Sequence, residues 1–274
     1  HDRFRKDKGG APTFDKVMHG LELLYRSGVE YNTMTTVSRA GEGRGEEVYR
    51  FLKSVGSRYM QFMPVVEYTC RETPGSRPHI VPPHTPGSTL GEWSVSPRAF
   101  GDFMCDIFDE WIVNDVGRCY VQLFDVALAQ WYGVRPALCA FCDTCGDSLV
   151  VEHNGDIYSC DHFVYPEYRL GNLTDTTLLK AFASRRQADF GAAKHNRLPD
   201  ECIKCRYYFA CRGECPKHRF DRTAAGEEHL NALCEGYKAF FRHAEPYMRY
   251  MADLLRAKQP PARVMLWARQ RMGY

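Results

Sequence analysis

The stretch Cys202-Ile-Lys-Cys-Arg-Tyr-Tyr-Phe-Ala-Cys-Arg-Gly-Glu-Cys215 places four thiols within fourteen residues. That density narrows the possible folds, because one tetrahedral metal or one cubane iron–sulfur cluster takes four thiolates together. The chain holds 12 cysteines, at 70, 105, 119, 139, 142, 145, 160, 202, 205, 211, 215 and 234, so nine of them fall between 139 and 234. A secreted disulfide framework normally belongs to a small exported chain that cannot stabilise itself by burial. Here 274 residues suffice for a full core, and no signal-peptide pattern opens the sequence. Reduced cysteines in a cytoplasmic metal-binding region are therefore the expectation.

The remaining composition excludes more than it selects. Thirty-six basic against 34 acidic residues leave a net charge of +2, which gives no sign of a nucleic-acid partner. No apolar run approaches the roughly 20 residues of a membrane helix. The chain begins at His1 rather than Met, as an excised segment would.

Residues 13–66 alternate between helical and extended patterns. Phe14, Val17, Met18, Leu21 and Leu24 follow helical spacing, with Thr13 as N-cap and Gly28 as the stop. "VEYNTMTTV" (29–37) reads as a strand. Val48, Phe51, Leu52 and Val55 mark a second helix, and "YMQFMPVV" (59–66) reads as a strand buried on both faces. This order implies parallel strands with helical crossovers, as in an open α/β sheet or a (β/α) barrel. A Pro-rich stretch (73–88) reads as a long loop. Ser96 and Pro97 then open a helix whose Phe100, Phe103, Met104, Ile107, Phe108, Trp111 and Ile112 share one face. "CYVQLFDVAL" (119–128) reads as a strand running into a helix. Beyond it, "SLVVEH" and "DIYSC" form a hairpin joined by Asn154-Gly155, the pair that suits a two-residue type I′ turn, which brings Cys145 and Cys160 to its open end. A helix over 174–190 should turn Leu178, Leu179 and Phe182 inward. A long final helix (227–258) should kink at Pro246, and the basic tail with Arg263, Arg269 and Arg271 reads as a solvated face.

Two cysteine groups stand out: Cys139-x2-Cys142-x2-Cys145 with Cys160, and Cys202-x2-Cys205-x5-Cys211-x3-Cys215-Pro with Cys234 later. Structural zinc also takes four thiolates and uses CxxC half-sites, so spacing alone leaves zinc and iron–sulfur both open. Two details favour iron–sulfur. The ending C-x3-C-P resembles a ferredoxin run in which the Cys before Pro ligates the other cluster. There are also enough cysteines for two complete four-thiolate sites.

Longer motifs carry a specific resemblance. "CGDSLVVEHNGDIYSCDHFVYPEYRLGNL", "CIKCRYYFACRGECPKHRF" and "LCEGYKAFF" resemble the SPASM domain of anaerobic sulfatase-maturating enzymes, which are radical S-adenosylmethionine (SAM) proteins. "HDRFRKDKGGAPTFDKVMHGLELL" and "RYMQFMPVVEY" are similar to the later barrel units of that family. The resemblance implies an α/β fold: the C-terminal units of a partial (β/α) radical SAM barrel (1–130), an α+β SPASM domain with its β-hairpin (131–243), and a helical extension (244–274). It also implies two auxiliary four-iron four-sulfur clusters. One would be held by Cys139, Cys145, Cys160 and Cys215, the other by Cys202, Cys205, Cys211 and Cys234. Cys142 would then be spare, or would compete with Cys139. Cys70, Cys105 and Cys119 are expected to be buried small hydrophobes.

The family reaction oxidises a Cys or Ser of a sulfatase to Cα-formylglycine. By resemblance, Asp161 in "CDHF" would be the base that takes the substrate's proton. Gln61 and Met63, on one strand face, would approach SAM or the substrate peptide. The implied partners are an unfolded or nascent sulfatase peptide and an electron donor such as flavodoxin or ferredoxin, with no nucleic acid and no membrane. His153 and His162 read as packing or surface residues, and Asp156 as part of a turn. The family's CxxxCxxC loop, which binds SAM through a third cluster, is not in this sequence. The chain is accordingly expected to be the C-terminal two-thirds of such an enzyme, unable to cleave SAM alone. The alternatives are another SPASM peptide maturase and a zinc-stabilised interaction module without redox chemistry.

Overall fold

The computed structural model describes residues 1–73, 75–82 and 85–273. Helix α1 (Phe14–Arg26) leads into strand β1 (Asn32–Val37), helix α2 (Gly45–Ser54) and strand β2 (Tyr59–Pro64). Thr13 does not cap α1 with its side chain. Asp2 does that work, its Oδ1 accepting from the Thr13 and Phe14 amides at 3.0 and 2.9 Å. The apolar stripe of α1 is not core either: Val17, Leu23 and Leu24 are exposed.

β1 and β2 pair in parallel from Asn32 opposite Tyr59 to Val37 opposite Pro64. Three short strands follow: β3 (Tyr68–Cys70), β4 (His79–Ile80) and β5 (Thr89–Leu90). They form an antiparallel sheet in the order β4-β3-β5, so the Pro-rich stretch is not wholly loop; its residues 74, 83 and 84 lie outside the described residues. β4 lies between Pro78 and Pro82, each of which lacks a ladder donor, and its pairing spans two residues. Helix α3 (Pro97–Asn114) then crosses to β6 (Tyr120–Val121), which joins β2 in parallel and runs directly into α4 (Gln122–Tyr132). The expected helical crossovers and parallel pairing are present.

The β2 strand departs from expectation in its burial. Met60 and Val121 are almost fully buried against the helices, while Tyr59, Met63 and β1 residue Met34 are exposed on the opposite face. Period-2 alternation sorts these side chains, and an all-apolar string concealed which face was covered. Tyr59 and Tyr120 stack on that open face with ring centroids 5.3 Å apart.

The remaining elements are β7 (Val150–Val151), β8 (Asp156–Tyr158), β9 (Arg169–Asn172), α5 (Leu178–Phe182), α6 (Arg185–Asn196), α7 (Asp200–Ile203), α8 (Tyr208–Cys211), α9 (Cys234–Arg256) and α10 (Val264–Met272). The core is built on α3 against α9. All seven apolar residues of the expected α3 face are buried, and Tyr237, Phe240, Phe241, Met248 and Met251 of α9 meet them. Each such fully buried side chain stabilises the fold by about 1.5–3 kcal/mol before entropy is counted. The two helices cross at glycines: a Cβ on Gly101 would lie 2.4 Å from the Gly236 carbonyl oxygen, and one on Gly236 would lie 2.2 Å from that of Pro97. Pro246 sits inside α9, which runs on as one helix to Arg256. Arg269 is not simply solvated, because its Nε donates to the Val113 carbonyl at 2.9 Å and ties α10 to the end of α3.

Candidate metal centre

The hairpin of β7 and β8 extends to a third strand, β9, in the order β7-β8-β9. Its turn is not the two-residue form. Val151 pairs with Ile157 and the Glu152 amide donates to Asp156, leaving a three-residue loop, His153-Asn154-Gly155. Gly155 alone takes a positive φ, 87°, so the loop is a type I turn closed by a left-handed glycine. Asn-Gly permits both forms; the pairing register decides between them. Asp156 is structural, accepting from Asn154, Arg169 and Asn172. His153 is on the surface.

The expected helix over 174–190 is broken. α5 ends at Phe182, and Ser184 caps α6 by accepting from the Gln187 amide at 3.2 Å. Leu178, Leu179 and Phe182 are exposed, Leu179 by 76%, whereas Ala181 is buried. A five-residue helix buries one narrow stripe, and here that stripe is Ala181.

The cysteines sort into two sets. Cys202, Cys205, Cys211 and Cys234 line one cavity, walled by Tyr207, Tyr208, Tyr237 and Phe241. Cys205 and Cys202 sit at α7, Cys211 ends α8, and Cys234 opens α9. Burial raises the Cys202 thiol to about 11, with Cys234 and Cys205 adding to the rise by repulsion. Burial likewise raises Cys211, and Cys234 and Cys202 contribute.

The second set gathers at the open end of the hairpin. Burial pushes Cys160 up to about 12, with Asp161 and Cys145 adding. Burial holds Cys215 well above its ordinary value, with Glu214, Cys160 and Cys145 contributing. Burial also raises Cys145, where Cys139 adds and Lys194 opposes. Cys142 lies beside this set: its thiol faces the Pro136 and Leu138 carbonyls at 3.4 and 3.7 Å, and burial raises the Cys139 thiol, with Lys194 opposing and Cys142 adding. Of the three cysteines expected to be small buried hydrophobes, Cys119 is buried, while Cys70 and Cys105 are only partly so.

Among the described residues, no three His, Cys, Asp or Glu side chains converge closely enough for a single ion. Cys202, Cys205, Cys211 and Cys234, lining one apolar cavity, offer the four thiolates that one cubane cluster or one zinc takes. The donor chemistry fits as well, since thiolates are the ligands such clusters take. Each thiol would release its proton on loading.

What separates Cys211 from Cys215 is a loop of three left-handed residues, Arg212, Gly213 and Glu214, with φ of 50°, 70° and 51°. A non-glycine residue in this region costs about 1–2 kcal/mol. Arg219 offsets that cost: it donates to the carbonyls of Arg212, Gly213 and Glu214 at 2.9, 2.8 and 2.8 Å. The reversal leaves Cys211 in one set and Cys215 in the other. Glu214 is buried and accepts from Asn231 at 2.7 Å and pairs with His218 at 2.9 Å. Sequence reasoning passed over Lys194, Arg219 and Glu214. The only signal available was a charged Arg-Gly-Glu between two cysteines.

Asp161 is exposed beside the second set, with Oδ1 3.2 Å from the Cys160 sulfur. His162 is not a bystander: its Nδ1 lies 3.3 Å from the Cys215 sulfur. Gln61 and Met63 are remote from the thiols in sequence but share the open face of the parallel sheet. Lys217 connects the regions, its Nζ bonding Glu67, three residues beyond β2, at 3.0 Å.

Residues 139–206 match the SPASM model, described as an iron-sulfur cluster-binding domain. That stretch includes Cys139, Cys145, Cys160, Cys202 and Cys205; Cys211, Cys215 and Cys234 lie beyond it. The chain is 45% identical over 265 residues to a serine-type anaerobic sulfatase-maturating enzyme of Bacteroides thetaiotaomicron, covering 97% of this chain and 64% of that enzyme. It is 33% identical to a serine-type enzyme of Klebsiella pneumoniae, covering 88% and 55%. A cysteine-type enzyme of Clostridium novyi is 27% identical, with 94% and 65% covered. A solved structure described as native anSMEcpe with bound AdoMet and Cp18Cys peptide superposes with a TM-score of 0.77 at 27% identity, covering 93% of this chain and 66% of that one. The chain thus spans a little over half to about two thirds of the length of these relatives. It is a homologue of the anaerobic sulfatase-maturating enzymes and carries their SPASM iron–sulfur cluster-binding domain.

Proposed function

We propose that this chain is part of an enzyme that oxidises a Ser or Cys side chain of a sulfatase peptide to Cα-formylglycine by radical SAM chemistry, and that it does not do so without the CxxxCxxC cluster loop. In this reading residues 1–130 are later units of the catalytic barrel, 131–243 the auxiliary-cluster domain and 244–274 a helical extension. The observation that carries it is the Lys217–Glu67 bridge, 3.0 Å long. It brings the segment after Cys215 to the C-terminal end of the parallel strands, where barrel enzymes assemble their active sites. In this reading Asp161 and the open β1/β2 face act on the same substrate.

SAM and a reduced cluster, when bound, would supply the radical that removes a hydrogen atom from the substrate Cβ, and an auxiliary cluster, when bound, would accept the one electron the substrate radical must then lose. This chain's residues would hold those clusters and manage the proton. Asp161 accepts the proton of the substrate hydroxyl or thiol. Loading turns Cys160 into a thiolate with no proton to donate, so Asp161 loses its 3.2 Å partner and is free for substrate. Gln61 and Met63 present their side chains to SAM or the peptide backbone. Cys139, Cys145, Cys160 and Cys215 hold one auxiliary cluster; Cys202, Cys205, Cys211 and Cys234 hold the other. The Tyr207 amide, 3.4 Å from the Cys205 sulfur, stabilises that thiolate.

The higher identity to serine-type enzymes, 45% and 33% against 27%, favours a serine peptide. Electrons would come from a flavodoxin- or ferredoxin-type donor in the cytoplasm. No helix among the described residues is long and apolar enough to cross a membrane. The test is anaerobic incubation of the reconstituted enzyme, with this chain joined to the CxxxCxxC cluster loop, with SAM, reductant and matched serine and cysteine peptides. Mass spectrometry should find an aldehyde at the target position, more with serine. SAM cleavage without peptide oxidation, or a peptide cross-link instead, would contradict the reading.

A further inference from the structure

Two cations are buried between the thiol sets. Lys194 is 1% exposed and Arg219 is 2% exposed. The Lys194 ammonium bonds three carbonyl oxygens, those of Cys139 and Ala140 at 2.6 and 2.7 Å and that of Cys142. Arg219 bonds the three carbonyls of the left-handed loop and also the carbonyl of Lys194. Carbonyl dipoles satisfy the hydrogen bonds but leave both charges uncompensated. The carboxylate beside them, Glu214, is engaged by Asn231 and His218. Two buried cations against one buried carboxylate are unfavourable unless an anion completes the site.

A cubane held by four thiolates is net anionic. We infer that Lys194 and Arg219 are the built-in counter-charges of the two auxiliary clusters, Lys194 serving the hairpin cluster and Arg219 both, and that they raise the cluster potentials. Lys194 is fixed to the turn that carries Cys139, and Arg219 to the loop joining Cys211 to Cys215, so each cation moves with the ligands it neutralises. Net charge and hydrogen bonding are what tune such potentials. Removing one positive charge disfavours the added electron and makes the potential more negative. Lys194 and Arg219 are positioning residues in this sense, since neither is placed against substrate. The inference rests on the two-cluster reading above.

The test is an EPR-monitored redox titration of the anaerobically reconstituted protein, with iron analysis and circular dichroism alongside. Lys194→Met should shift one auxiliary potential negative and leave the other nearly in place, and Lys194→Arg should retain both. Loss of about four irons in Lys194→Met, with iron kept in Lys194→Arg and helicity unchanged, would equally support a required charge. Unchanged potentials and iron in Lys194→Met would overturn the inference. So would equal shifts or equal iron loss in the Met and Arg variants, which would mark a purely steric role. A colourless wild-type protein holding zinc would instead overturn the cluster reading itself.

Discussion

Asp161 and Cys160 are neighbours in sequence, yet Cys160 is partly buried near Cys145 and Cys215 while Asp161 is exposed. Replacing Asp161 by Asn preserves shape and removes the proposed proton acceptor. Turnover should fall by roughly 10²–10⁴-fold, the usual worth of a positioned base, with iron content and cluster spectra unchanged. Full turnover by Asp161→Asn would remove it from the mechanism. Cys142 shows what spacing could and could not tell. Cys139-x2-Cys142-x2-Cys145 offers two candidate partners for Cys145; in the structure the Cys142 thiol points toward the Pro136 and Leu138 carbonyls. The buried charges were not legible at all. Lys194 falls in a polar helix, where any reader would assign it to solvent, and its burial follows from how α6 docks on the Cys139 turn.

At the scale of elements, the longer helices and strands are legible in the sequence, but the faces they bury are legible at α3 and not at α1 or α5. The α3 face was legible because seven large apolar residues repeat at helical spacing over 18 residues. The α5 apolar residues were misread because a five-residue helix has too little length to define a face. The hairpin was visible, but its turn type depends on register, which the Asn-Gly pair does not fix. The α3–α9 crossing matters for the site, because Cys234 lies two residues before Gly236. Gly236→Ala would force the helices apart, since its Cβ meets the Pro97 carbonyl. It should cost about 1–3 kcal/mol in thermal or denaturant unfolding and selectively weaken the cluster that uses Cys234. A variant as stable as wild type with both clusters full would show that the crossing tolerates the methyl group.

Across the whole molecule, the parallel sheet and the cysteine-rich region are coupled through one packed core and one ion pair at the strand ends. The Lys217–Glu67 pair is partly buried, so Glu67→Gln should change stability by less than about 1 kcal/mol. Iron should remain full while kcat falls, because Asp161 would lose its fixed position relative to the β1/β2 face. An unchanged kcat would separate that bridge from catalysis. The architecture was legible from alternating helix and strand patterns and from the longer motifs. The open sheet face was not, because β2 is apolar on both sides.

The central claim is that Cys211 and Cys215, only four residues apart, serve different clusters. EPR spectra of reduced, reconstituted Cys211→Ala and Cys215→Ala variants test it most directly. Two distinct auxiliary signals are expected in the wild type. Cys215→Ala should perturb the signal that Cys160→Ala also perturbs, and Cys211→Ala the signal shared with Cys234→Ala. If Cys211→Ala and Cys215→Ala perturb the same signal, the fourteen-residue stretch holds a single site and the account fails.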